Sequence, residues 1–502
     1  MPRAEMQPSP LSLVASSNYF FYTSTYNRKR AGVSVIAALT LIYLAWVNHI
    51  LQGVPSEAWK LSGSRWTAKQ LKRVYRALDQ QPIEYTSKLP PRLDRGNGLV
   101  GGFIVLQLLA RGTPPADIRI LDIRSPERRD MAEGLAKAVE FVQTDITSAA
   151  AVDAAFARPW HLSVTHLPLT VFHTPVVILA SDRSTYLYGF LEAVNVNGTK
   201  HVLAAARSFG ADIFSSTSSA SISIRPVEPF VTAGEPRNFW QILDERDFSH
   251  PLRPRAEFFG NYPASKAVAE RLVCAASNPS FRTGCIRPAN GVYGNPTDNT
   301  VGGPLSRWVP HIVQSFVHGA NVAIAHLHHE AVLLNKDAPQ AGRPFVVTDP
   351  NPPISYIDLY AAISTLSVHP FRTVTIPPIL IVLLSYAVEW YHLLPYRVPF
   401  LKEILPEIRG DLRHLQPGII SICTHLIGSD ADARQAVGKG LYRLGYSGVV
   451  TTLEEMVLEI LEWNREHEAE DGVVREKKLY TTSTSLAEQL RQVLAVGRVV
   501  AE

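Results

Sequence analysis

Cysteine is scarce. The 502 residues hold three, Cys274, Cys285 and Cys423, with neither the paired spacing of a zinc site nor the density of a disulfide framework. That excludes a small stapled scaffold and points to a reducing compartment for the catalytic part. Charge of one sign is also lacking. The formal net charge is +4, too small to draw a nucleic-acid backbone, so no nucleic-acid partner is expected. The mildly basic balance suits an anionic membrane surface. No internal repeat is visible, which excludes a solenoid or propeller. One more absence matters later. The single glycine-rich motif has no buried strand before it; Leu89-Pro-Pro-Arg-Leu-Asp-Arg95 stands there, and two prolines with three charges do not make a central strand.

What is present begins with apolar segments. Gly32 to Leu51 is a stretch of 20 residues without Asp, Glu, Lys or Arg, enough to cross a hydrocarbon core of about 30 Å. Arg28, Lys29 and Arg30 abut it, and Tyr43 and Trp46 suit an interface. It starts late and no small-residue cleavage site follows, so a signal peptide is disfavoured. Lys60, Arg65, Lys69, Lys72 and Arg73 make the other flank basic too, which leaves the orientation open. A second run, Val374 to Val388, is short for a span. It reads either as a helix dipping into the interface or as an ordinary core helix. The division that follows is a loose N-terminus over 1–31, a transmembrane anchor over 32–51 and a linker over 52–95. A nucleotide-binding domain follows over 96–300, then a substrate-binding region over 301–465 with 374–388 at the membrane, and a tail over 466–502.

From about residue 96, short β-branched runs alternate with helical stretches. Residues 118–123, 139–144, 169–178, 212–217 and 281–287 read as buried strands. Residues 99–111, 129–138, 194–209 and 262–277 read as helices. This alternation predicts an α/β fold: a Rossmann-type, doubly wound parallel sheet with a smaller C-terminal substrate-binding region and an N-terminal transmembrane helix. Gly96, Gly98 and Gly101 match G-x-G-x-x-G, a backbone that lets a pyrophosphate approach a helix N-terminus. Asp122 ends a strand 21 residues after Gly101. A carboxylate there accepts bonds from ribose hydroxyls and repels a 2′-phosphate, favouring NAD over NADP; Arg124 nearby weakens that preference. Asp145, ending the next strand, is a candidate for the adenine edge or for a helix cap.

Tyr262-Pro-Ala-Ser-Lys266 opens a helix-like stretch. Residues i and i+4 share a helix face. A free phenol titrates near pH 10, too high for a base at neutral pH, and a lysine one turn away favours the phenolate. Ser219, in Ser215-Ser-Thr-Ser-Ser219 at a strand end, is the candidate for holding the substrate oxygen, with Ser218 as its rival. His326, His329 and Glu330 would share a face of a helix, but hydride transfer needs no metal and no metal site is assigned.

These residues stand in an order that resembles the extended short-chain dehydrogenases, and specifically the 3β-hydroxysteroid dehydrogenase/sterol-4α-carboxylate 3-dehydrogenase family. To the residues above, the resemblance adds Phe172-His173, Asn195-Val-Asn-Gly198-Thr199, Arg287-Pro288 with Val292-Tyr293-Gly294, Asn321-Val-Ala-Ile-Ala-His326 and Leu444-Gly445-Tyr446. It covers about residues 96–465. It implies NAD-dependent oxidation of a 3β-hydroxyl on a sterol or steroid, with Tyr262, Lys266 and Ser219 catalytic and NAD held by Gly96, Gly98, Gly101, Asp122, Asp145 and Lys266. The partners it implies are the sterol or steroid substrate and membrane lipid, with a homodimer or association with other sterol-modifying enzymes as options. The compartment it implies is the endoplasmic reticulum membrane, single-pass, with the catalytic part in the cytosol. Three departures stand out: the missing strand before Gly96, Thr174-Pro175 where small residues are usual, and only 27 positions between Gly294 and Asn321. They leave two other readings open: the same fold acting on a secondary metabolite or small ketone, or a membrane scaffold that has lost NAD binding.

Overall fold

The computed structural model describes residues 10–81, 98–125, 128–160, 167–179, 181–230, 233–294, 305–307, 309–370, 373–408, 411–435 and 443–468, with isolated positions 83, 85 and 165. Six parallel strands organise it: β1 (Arg119–Asp122), β2 (Glu140–Gln143), β3 (Thr170–His173), β4 (Ile213–Thr217), β5 (Arg282–Pro288) and β6 (Pro344–Val347). Four of them are hydrogen-bonded in the order β6-β5-β4-β3, and β1 pairs with β2. All four residues of β3 and all seven of β5 are buried, as strands covered on both faces must be.

Two helix layers do the covering. On one face α3 (Gly98–Ala110) and α7 (Gly319–Leu333) pack Ile104, Leu108, Ala323 and Leu327 against Ile120 and Phe172. On the other, α4 (Ala149–Phe156), α5 (Thr199–Ser208) and α6 (Asn261–Ala275) pack Val152, Val202 and Val273 against Val171 and Phe214, with Leu121 at the margin. This is the doubly wound α/β arrangement that the alternation predicts.

The sheet has a break in its middle. β1 and β3 share side-chain clusters on both faces, yet no backbone hydrogen bond joins them among the described residues. A cavity lined by Leu121, Thr144, Val171 and His173 lies between them. α3 runs into β1, and a right-handed β-α-β crossover through it would start from a strand beside β1 on the β3 side. No described residue supplies that strand. The proline-rich segment 89–95 lies outside the described residues.

Elsewhere the structure departs from the composition. Residues 52–95 do not behave as a linker throughout. α2 (Ala68–Gln80) buries Leu71 and Leu78 against Ile363, Met456, Val457 and Ile460, the last three from α9 (Thr452–His467). Leu71, Val74, Tyr75 and Leu78 recur at helical spacing, and the lysines and arginines that suggest a linker occupy the outer face. α1 runs from Pro10 to Leu51, so residues 10–31, expected to be loose, are helical; neither proline nor glycine interrupts residues 11–31. Between 129 and 138 the expected helix splits into Arg129–Ala132 and a 3-10 turn, Gly134–Ala138, because Gly134 sits at φ +59°. The third strand stops at His173 instead of 178, where Thr174-Pro175 withdraws an amide donor.

A second sheet joins Ile354–Ser355, Val313–Gln314, His425–Gly428 and Trp240–Leu243 in that order. Beside it lies α8 (Pro378–Arg397). This helix extends past Glu389, since Arg183 meets that carboxylate with two bonds of 2.6 and 2.7 Å. α1 and α8 meet end to side. Val47 and Leu51 are buried with Ile379, Ile381 and Val382. The Asn48 side-chain oxygen accepts from the Ile379 amide at 3.2 Å, satisfying one free donor of a helix start.

Candidate active site

The C-terminal ends of parallel strands face the crevice where an α/β fold holds its ligand. Ser219 follows the end of β4 there. Its hydroxyl accepts from the Ser221 amide at 3.2 Å, capping a 3-10 turn. α6 begins beside it. Pro263 fits the first turn, where an amide donor would go unused. That places Tyr262 at the crevice and Lys266 one turn on, 8% and 5% exposed. Burial raises the Tyr262 phenol above its ordinary value, and the Ser219 hydroxyl pulls it back down. Burial lowers the Lys266 ammonium to about 8, with Cys285 and Glu270 opposing.

The two serines separate cleanly. Ser218 donates to Glu270 at 2.6 Å, and Glu270 is paired with Arg287 at 2.5 Å in a fully buried ion pair. The Ser219 hydroxyl also bonds that of Ser221, at 2.7 Å, but it is the one that acts on the phenol. Lys266 differs from expectation: it is not among the groups acting on Tyr262. Its ammonium donates to the Thr217 carbonyl at 2.5 Å.

Asn195 belongs to the site but received no role from the sequence. It lies in a π-helical turn, Glu192–Gly198, a widening common at functional sites. Its amide makes two bonds to the backbone of Val177, 2.9 and 3.0 Å, and one to Ser265 at 3.0 Å. Ser265 in turn donates to the Tyr262 carbonyl at 2.8 Å. Asn195 therefore ties the loop after β3 to the tyrosine helix. The only sequence signal was its place in the Asn-Val-Asn-Gly-Thr run.

At the nucleotide end, Gly98 and Gly101 lie in the first turn of α3, while Gly96 lies outside the described residues. Asp122 is the last residue of β1, and one of its oxygens accepts from the Arg124 amide at 3.0 Å. Asp145 accepts from the amide and hydroxyl of Thr147, at 2.9 and 2.8 Å, and these bonds hold its carboxyl low. Asp145 thus closes a turn, and Ser148 rather than Asp145 caps α4. A glycine-led helix start, Asp122 at the end of β1 and Lys266 beside the end of β4 fit a dinucleotide laid along one sheet edge. The fit is incomplete only where no described strand enters α3.

Next to Tyr262 a cavity of about 470 Å³ opens between Gly260–Asn261, Pro226, Val227, Pro229 and the α8 side chains Tyr386, Glu389, Leu393 and Arg397, and Arg183 and Arg255 also line it. Asn261 is buried, and its side-chain oxygen has no hydrogen-bond partner. His326, His329 and Glu330 are engaged elsewhere. The histidines contact Ser215, and Glu330 takes Thr170 at 2.9 Å and Arg111 at 3.2 Å.

A family model described as the 3-beta hydroxysteroid dehydrogenase/isomerase family matches residues 95–374. Short-chain dehydrogenase/reductase family 42E member 1 of Xenopus laevis is 24% identical over 321 residues, 59% of this chain and 72% of that protein. The decarboxylating sterol-4-alpha-carboxylate 3-dehydrogenase of Schizosaccharomyces pombe is 26% identical over 306 residues, 59% of this chain and 80% of that protein. Among solved structures, a UDP-glucose 4-epimerase from Thermotoga maritima aligns with a TM-score of 0.47 at 15% identity, over 74% of this chain and 98% of that one.

Proposed function

The chain belongs to the 3-beta hydroxysteroid dehydrogenase/isomerase family, and from that premise we propose that it oxidises a 3β-hydroxyl group on a membrane-borne sterol or steroid. Membership makes it an NAD-dependent oxidoreductase; the finer reading concerns substrate and site. The observation that carries it is the meeting of Tyr262 and Ser219 at the end of β4, beside a cavity to which α8 contributes one wall.

Each residue has a task. Tyr262 takes the proton from the substrate hydroxyl. Ser219 hydrogen-bonds the same oxygen and holds it against the phenol. Lys266, whose ammonium rests on the Thr217 carbonyl, would favour the phenolate and reach the ribose once substrate and cofactor fill the crevice. Asp122 holds the other ribose and disfavours a 2′-phosphate. NAD, held along this edge by Asp122 and Lys266, would supply the hydride acceptor. Where the substrate carries a 4-carboxylate, as the name of the Schizosaccharomyces relative indicates for that enzyme, the new 3-ketone stabilises the enolate left when carbon dioxide departs.

The exposed apolar face of α1 supports a membrane location; the reticulum and a cytosolic catalytic part are what the family resemblance implies. The decisive variant is Tyr262→Phe. It should abolish NAD reduction with a sterol 3β-alcohol while the circular dichroism and melting of the protein stay as in the wild type. Wild-type-like turnover in that variant would sink the assignment.

One observation favours a second reading, a membrane scaffold without cofactor binding: no described strand carries the chain into α3. Titration of the full-length protein in detergent with NADH, following nicotinamide fluorescence, separates the two. Saturable binding supports the enzyme, and its absence supports the scaffold.

A further inference from the structure

Behind the tyrosine lies a buried polar cluster that the proposed reaction does not use. α7 presses His326 and His329 against β4, both fully buried. Ser215 and Thr217 lie two apart on that strand and so point to one face. His326 spans them. Its Nδ1 is 2.8 Å from Ser215 Oγ, and its Nε2 is 2.8 Å from Thr217 Oγ1. A neutral imidazole carries one N–H and one lone pair, so it bonds both hydroxyls at once. Ser215 Oγ is also 2.8 Å from His329 Nδ1, and the Phe172 ring meets His326 edge-on at 5.8 Å. The ring has no freedom to turn.

Thr217 needs such a hold. β3 pairs with β4 only as far as Ser216, opposite His173, and Thr217 has a register partner only on β5. On its β3 side the strand end is therefore free, and the Thr217 carbonyl takes the Lys266 ammonium. An ammonium has three hydrogens.

We propose that His326 is a positioning residue for Lys266: by clamping Ser215 and Thr217 it fixes the Thr217 carbonyl, which takes one ammonium hydrogen and aims the other two at the tyrosine and ribose. The inference rests on the reading of Tyr262 and Lys266 as the catalytic pair. His326 itself touches none of the reacting atoms.

The test uses full-length protein in detergent. His326→Leu and Thr217→Val should each lower kcat about tenfold, the worth of one well-placed hydrogen bond, and weaken NADH binding several-fold because the ribose loses its aimed donor, while the sterol KM stays within about twofold. The double variant should be no worse than either single one. His326→Gln carries an amide to the Nε2 position and should restore most of kcat. His326→Asn reaches only the Nδ1 position and should not. In the absence of substrate, acetic anhydride should label Lys266 several-fold faster in His326→Leu, because the amine has lost its carbonyl. If His326→Leu does not fold, Thr217→Val and the Gln/Asn pair decide the matter. The inference is overturned if these variants keep wild-type kcat while Tyr262→Phe is dead. It is equally overturned if Gln and Asn lose activity and melting temperature together, which marks packing alone. An active Tyr262→Phe instead refutes the catalytic reading beneath it.

Discussion

At the scale of single residues, burial sets the chemistry before any partner does. It pushes the Tyr262 phenol up and the Lys266 ammonium down, so a charged ligand at the crevice must supply part of what activates the pair. Ser218 and Ser219 are neighbours with separate fates. Ser219→Ala should lower kcat by roughly one to two orders of magnitude with little change in stability. Ser218→Ala should do the reverse, lowering the melting temperature because the buried Glu270 carboxylate, already paired with Arg287, loses a hydrogen-bond donor. Steady-state kinetics and calorimetry on the two variants give the check, and an inverted pattern would reassign the substrate hydroxyl. A pH effect sits at Glu245. Burial raises its carboxyl to about 7, while the Val346 amide that donates to it pulls the other way. The folded state thus holds a proton that the unfolded chain releases near 4.5. Stability is full below that value and declines as pH rises towards 7. Glu245→Gln keeps the acceptor and removes the charge. It should raise the melting temperature by roughly 2–4 °C at pH 8 and leave it nearly unchanged at pH 4.

At the scale of elements, the break between β1 and β3 is the feature with the largest consequence. A parallel strand buried on both faces satisfies its backbone through both neighbours, and the inner edges of β1 and β3 have no such neighbour among the described residues. The glycine turn at the start of α3 would hang from the strand that belongs there. Inserting about five β-branched residues between Arg95 and Gly96, the length of an average strand, should raise NADH affinity by an order of magnitude or more and sharpen thermal unfolding. An insertion that leaves NADH titrations unchanged would show that segment 89–95 already serves.

At the scale of the whole molecule, two helices among the described residues are long and apolar enough to cross a membrane, Arg30–Leu61 as a hydropathic stretch and Pro378–Arg397. They differ in what they bury. α1 exposes Val33, Ile36, Leu39 and Ile42, each more than half accessible, whereas α8 buries Ile381, Val382 and Ser385 and exposes Leu380, Leu383 and Trp390. The first suits a span and the second an interfacial contact. Their junction limits how the span can be tested. Removing residues 1–51 would take Val47 and Leu51 out of the core. Removing 1–42 leaves them in place. That truncation should move most of the protein into the alkali-extractable fraction, with a detergent-sensitive remainder held by α8. Full-length protein that alkali extracts would refute the span.

Much of this was legible along the chain because it is local. Strand–helix alternation, the Tyr262/Lys266 spacing and the apolar run at 32–51 depend on periods of two to four residues and on length, and all three are properties of a segment by itself. The resemblance added order to those segments and reached the family. What the chain could not disclose depends on contacts across long separations. α2 looked like a linker because its charged residues mask a narrow apolar stripe, and the helix that covers the stripe comes from residues 452–467. Ser218 and Ser219 were equivalent until Glu270, about fifty positions on, claimed one of them. The turn that Asp145 closes on Thr147 and the tie that Asn195 makes to Val177 are likewise contacts that composition does not announce. His326 was one of two histidines on a helix face until α7 was laid across β4. The sequence by itself determined which segments are buried and which residue types can do the chemistry, because hydrophobic period and ionisable groups are written in it. Tertiary structure alone decided which of two like side chains faces the phenol, because a hydrogen bond saturates its partner, and only the packed fold says who is nearest.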